Sequence, residues 1–143
     1  GIATAEDARL AVEHGVDVIY VSNHGGRQLD HGRGSLDVLP EIVAEVGDQA
    51  IVLVDGSFCR GTDILKAVAL GAAAVGIGRI ACLGLAANGS AGLVRVLELL
   101  EDEMTRAAGM LGITTIDQLD ATAVTEAPVV ADPSALSAFP LLG

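Results

Sequence analysis

Between Ser22 and Arg27 the chain reads Ser-Asn-His-Gly-Gly-Arg, which sets an imidazole and a guanidinium three residues apart on a glycine-softened stretch. An unperturbed histidine titrates near neutrality and suits a general base; an arginine grips a carboxylate through two parallel hydrogen bonds. Gly25 and Gly26 keep side chains out of the space between His24 and Arg27. The other two histidines read as structural, because His14 ends a helical pattern and His31 sits in a polar turn.

Two further stretches combine glycine with arginine: Asp55-Gly-Ser-Phe-Cys-Arg-Gly61 and Gly76-Ile-Gly-Arg79. Glycine lets backbone amides approach a ligand, a helix N-terminus supplies partial positive charge, and arginine is a forked donor matched to phosphate oxygens. The chain has only eight cations, and Arg27, Arg33, Arg60 and Arg79 all fall in loops that follow apolar runs. Taken alone, Arg33 reads as a surface salt-bridge partner, and Gly-Ile-Gly-Arg as turn chemistry. Arg27, Arg60 and Arg79 together point to something anionic.

The elements that must hold these loops follow from the apolar pattern. Asp17–Ser22, Ala50–Val54 and Ala73–Ile77 are Val- and Ile-rich runs without polar alternation, which predicts strands of a parallel sheet covered on both faces. Helical patterns occupy Thr4–His14, Leu36–Val46, Thr62–Leu70 with Thr62 as N-cap, and Ala91–Ala108, the last with an apolar stripe of Leu93, Leu97, Leu100, Met104 and Ala107. This alternation is α/β, either a doubly wound sheet or part of a (β/α)8 barrel, and in both the site lies at the carboxyl ends of the strands. A phosphate cradle in the last two strand loops favours the barrel. From residue 121 the pattern gives way to a segment with Pro128, Pro133 and Pro140, expected to be an extended tail beyond a body of residues 1–120.

Composition narrows the function classes. With 143 residues, 51% of them apolar, the chain can bury a sizeable core. A net charge of −11 argues against a nucleic-acid surface. Apolar runs are short, so no membrane span is expected. Cys59 and Cys82 have neither metal-ligand nor disulfide spacing, so free thiols in a reducing compartment, the cytoplasm, are expected and no metal site is.

The motif SNHGGRQLD, followed by LVDG, RGTD, KAVALGA and GIGR, closely resembles the C-terminal half of the FMN-dependent α-hydroxy-acid oxidases and dehydrogenases, over roughly residues 1–120. The resemblance implies a (β/α)8 flavoprotein that oxidises a small 2-hydroxy acid to the 2-oxo acid, with His24 as base and Arg27 on the substrate carboxylate. It also implies FMN contacts from Ser22, from Asp55, Gly56, Ser57, Phe58, Cys59 and Arg60 in the ribityl-phosphate loop, and from Gly78 and Arg79 at the phosphate. On this basis the three strands are half a barrel, completed by an N-terminal half outside this chain, and the complete enzyme is a homo-oligomer. The family loop usually reads DGGxRRG, so Ser57 and Cys59 stand in place of a glycine and an arginine, and Ile80 stands where proline is common. These departures leave a second expectation open, a non-catalytic phosphate- or flavin-binding module acting as a scaffold. A third, another phosphate-binding barrel, explains Arg79 and the glycines but not the HGGR stretch.

Overall fold

The computed structural model describes residues 1–127. Strands β1 (Val18–Val21), β2 (Ile51–Asp55) and β3 (Ala74–Gly76) form one parallel sheet in chain order, with Val18 opposite Ile51 and Asp55 opposite Gly76. Ile2 adds an isolated parallel bridge to Val21 at the β1 edge. Helix α1 (Ala5–Glu13) precedes the sheet, α2 (Ser35–Val46) and α3 (Gly61–Ala69) make the two crossovers, and α4 (Arg79–Leu111) follows. All three strands lie within the Val- and Ile-rich runs that predict them, apart from Asp55 at the end of β2.

The sheet has one covered face. Ile19, Val21, Val52 and Val54 are buried against Ala8 of α1, Val38, Leu39, Ile42 and Val46 of α2, and Ala67 of α3. The opposite face carries Val18, Tyr20 and Ile51, which are 43%, 40% and 54% exposed. The strands are apolar on both sides although the described residues cover only one, so the second face is built for burial.

Helix ends follow local chemistry with one exception. Thr4 caps α1 by accepting from the Asp7 amide at 3.1 Å, and Gly15 at φ 81° ends that turn. At α3 the cap is Arg60 and not Thr62, because the Asp63 carboxylate reaches back to accept from the Cys59 and Arg60 amides at 3.2 and 3.0 Å.

Helix α4 begins well before the predicted Ala91 and breaks at Asn88 and Gly89, whose backbones are not helical. The two parts touch closely: a Cβ at Gly92 would lie 2.0 Å from the Gly84 carbonyl oxygen. Leu100 and Ala107 of the expected stripe are buried, whereas Leu97 is exposed. Short apolar runs nonetheless follow one another along α4. A window of α4 has mean hydropathy 1.5 and is 11% buried, long and apolar enough to cross a membrane by length and composition, because small residues link its leucines with almost no charge between Arg79 and Glu98. The break divides that window.

The body also continues past residue 120. A 3₁₀ turn spans Ala121–Ala123, and Val124 packs on Leu65, Ala69, Ala107 and Leu119. Pro128, Pro133 and Pro140 lie outside the described residues.

Candidate active site

The loop after β1 is pinned by its own polar side chains. The Ser22 hydroxyl accepts from the His24 amide at 3.1 Å, and the Asn23 side-chain oxygen accepts from the Gly25 amide at 3.0 Å. The Ser35 hydroxyl, at the start of α2, accepts from the Asn23 amide at 3.2 Å. These contacts force a tight 3₁₀ turn in which His24, Gly25 and Gly26 all hold left-handed backbone, with φ 56°, 66° and 69°. Left-handed geometry is ordinary for the glycines and costs a residue with a Cβ roughly 1–2 kcal/mol, so His24 is held in place by its surroundings. Its ring lies over Gly1, where a Cβ would come within 2.8 Å of His24 Cε1.

The turn opens onto a cavity of about 250 Å3 formed by the three strand loops. His24 and Arg27 line it from the first, Asp55 to Cys59 from the second, and Gly78 and Arg79 from the third. Gly56 at φ 125° and Ser57 at φ 55° turn the second loop around the cavity. Nothing lies within 4 Å of where a Cβ of Gly78 would stand, so the backbone there is open to a ligand.

Two expected residues stand apart. Ser22 is buried and spends its hydroxyl on the turn. Arg60 is turned away and tied to α4, its Nε donating to both Glu103 carboxylate oxygens at 2.8 and 3.0 Å. Glu103 also accepts from the Gly61 amide at 2.7 Å. Arg60 and that amide hold the Glu103 carboxyl below its usual range. The Arg60 side chain is therefore held away from the cavity, and the N-terminus of α3 is closed by a carboxylate. The pairing of residues 60 and 103 depends on two helices docking and leaves no local signal in the sequence.

Cys59 is buried, with its thiol pKa raised by burial and by Asp63 and partly lowered again by Arg79. It walls the polar cavity off from an apolar cleft beside Ile80, Leu83 and Leu99. Cys59 and Cys82 are free thiols. Phe58 lines the cavity while its bulk joins the main core.

The electrostatic pattern is selective. Arg9, Arg33, Arg60, Lys66, Arg95 and Arg106 each pair with a carboxylate, Arg33 with Glu41 as its isolated position implies. Among the described residues Arg27 and Arg79 have no such partner, and both line the cavity. One acceptor there also lacks a donor, the buried Asp55 Oδ1. Two uncompensated cations, a histidine and an open glycine turn make a site for an anion with a proton acceptor beside it.

Known proteins resemble this chain. L-Lactate oxidase from Nostoc is 52% identical over 120 residues, which cover 84% of this chain and 33% of that protein. Mouse 2-hydroxyacid oxidase 1 is 47% identical over 90% of this chain and 35% of its own length. Among solved structures, a mandelate oxidase matches with a TM-score of 0.80 and 48% identity over 83% of this chain and 36% of that one. A monotopic membrane protein, (S)-mandelate dehydrogenase, matches at 0.82 and 43% identity over 85% and 32%. The chain thus spans about a third of the length of the relatives it matches. Its three strands and their helices are part of a (β/α)8 barrel, and the exposed sheet face is the interior side of that barrel. The model of the FMN-dependent dehydrogenases matches residues 1–126, and the chain belongs to that family.

Proposed function

We propose that this chain forms the cofactor- and substrate-binding end of an FMN-dependent 2-hydroxy-acid oxidoreductase, with complementary strands supplying the rest of the barrel. The observation that carries this reading is that the two cations without a carboxylate partner among the described residues face one cavity beside His24. The residues present fit FMN. Arg79 and the open backbone at Gly78 suit its phosphate, Ser57 and Gly56 curve around the same space, and Asp55 Oδ1 is an acceptor awaiting a donor such as a polyol hydroxyl. Arg60 has no part in this set.

FMN, when bound, supplies a two-electron acceptor that no side chain provides. Arg27 binds the carboxylate of the 2-hydroxy acid through its planar fork, which fixes the substrate's orientation. His24 takes the proton released as the alcohol becomes a ketone, and its imposed backbone keeps the imidazole at the cavity mouth before substrate arrives. Lactate, mandelate and other 2-hydroxy acids, named for the relatives, are the substrates to try. Two free thiols support a reducing compartment, for which we propose the cytoplasm.

A second reading, a binding module without catalysis, draws on Cys59, a protonated thiol in a loop that resembles one carrying a cation. One experiment separates the two. The assembled barrel is purified, its flavin absorbance is recorded, and a 2-hydroxy acid is added without oxygen. Bound flavin that bleaches supports the enzyme; bound flavin that stays oxidised with every acid supports the binding module. A folded barrel that stays colourless overturns the enzyme and supports the module, as one that binds phosphate.

A further inference from the structure

One polar side chain on the barrel-interior face takes no part in proton transfer or in gripping the anions. Tyr20 of β1 is the only tyrosine in a chain without tryptophan. Its head reaches across the sheet: a Cβ at Gly76 of β3 would lie 2.1 Å from Tyr20 Oη, 3.3 Å from its Cζ and 3.2 Å from Asp55 Cβ. The phenol head and the Asp55 side chain therefore meet over the one residue of β3 that offers no side chain. Asp55 reaches from there into the cavity wall. Burial, then the negative charge of Asp55, raise the Tyr20 pKa. The hydroxyl thus stays protonated, a donor beside a carboxylate.

We propose that Tyr20 is a positioning residue for Asp55. Its hydroxyl anchors the carboxylate at the cavity floor and leaves Oδ1, which has no donor among the described residues, to receive a hydroxyl of the cofactor's polyol chain. This rests on the FMN reading and adds a division of labour to it: Arg79 reads the phosphate, and the Tyr20–Asp55 pair reads the polyol. Gly76 is part of the device, since any side chain there would displace the phenol head.

Two measurements test the assignment. In this chain the phenolate absorbance reports Tyr20 alone. Its alkaline titration should have a midpoint above that of a free tyrosine, and Asp55→Asn should bring it down; the same midpoint in both proteins overturns the pair. In the assembled barrel, Tyr20→Phe keeps the ring and removes only the hydroxyl. It should weaken FMN and riboflavin by the same factor, about three- to tenfold as for loss of one hydrogen bond, and leave lumiflavin, which lacks the polyol, unchanged. Equal flavin affinities with and without the hydroxyl overturn the role of Tyr20 while the FMN reading stands, as does a loss confined to FMN. A wild-type barrel that binds no flavin overturns the FMN reading itself.

Discussion

The N-termini of α3 and α4 face the same end of the sheet, and the chain treats them in opposite ways. At α3, Glu103 accepts from the Gly61 amide and from Arg60, while Asp63 accepts from the Cys59 and Arg60 amides. At α4 no side chain caps the first turn, Gly78 is open, and Arg79 has no carboxylate partner among the described residues. Both begin with a glycine and an arginine, so residue type alone does not separate a closed end from an open one. The supply of carboxylates does: where the fold provides an anion the positive end is satisfied internally, and where it withholds one a ligand can complete it.

The contrast can be broken or sharpened by mutation. The largest expected effect lies at the chemistry the open end serves: His24→Ala in the assembled barrel should slow flavin reduction by about 10²- to 10⁴-fold with FMN still bound, as loss of a general base does. Anaerobic stopped-flow bleaching measures this, and unchanged rates would remove His24 from its role. Next, Arg79→Met should weaken FMN about ten- to a hundredfold and spare riboflavin, as expected for one charge-assisted contact to phosphate. Arg60→Met should leave FMN affinity within about twofold. If the two arginine variants lose FMN equally by isothermal titration, the distinction between the helix ends fails.

The smallest effect concerns the closed end. Glu103 has its pKa lowered in the fold, first by Arg60 and then by the Gly61 amide. A depressed carboxylate adds stability above its unfolded pKa and loses it as pH falls through the folded value. Glu103→Gln should therefore lower the melting temperature by only about 2 °C at neutral pH, since its partner Arg60 is exposed and the pair is screened. Below the ordinary glutamate range the variant and the parent should converge. A gap that persists in acid would mean that Glu103 acts through packing and not through charge.

Much of this was legible in the chain because it depends on near neighbours. The aliphatic runs locate β1 to β3 to within a residue or two, and Ser22 to Arg27 carry both the turn and its reactive groups. What escaped depends on distant partners. Arg60 looks like a phosphate ligand until Glu103 arrives from α4, and Thr62 looks like a cap until Asp63 takes the two amides before it. The early start of α4 was hidden by glycines that normally interrupt a helix, yet here Gly84 and Gly92 let its two parts meet. Tyr20 carried a signal that could have been used, a single phenol within aliphatic strands, but its meaning required Gly76 two strands away.

The left-handed backbone of His24 and Ser57 has a consequence for how the chain would drift. Glycine fits both positions better by roughly 1–2 kcal/mol, so selection for persistence of the fold alone would replace both. At Ser57 little opposes the exchange, since the turn would keep its shape and the backbone its access to the cavity. At His24 the same exchange deletes the only imidazole that the described residues place on the cavity wall. A library enriched for heat resistance and one enriched for turnover would accordingly agree at the first position and part at the second, so that one backbone angle separates what the molecule keeps to stay folded from what it keeps to work.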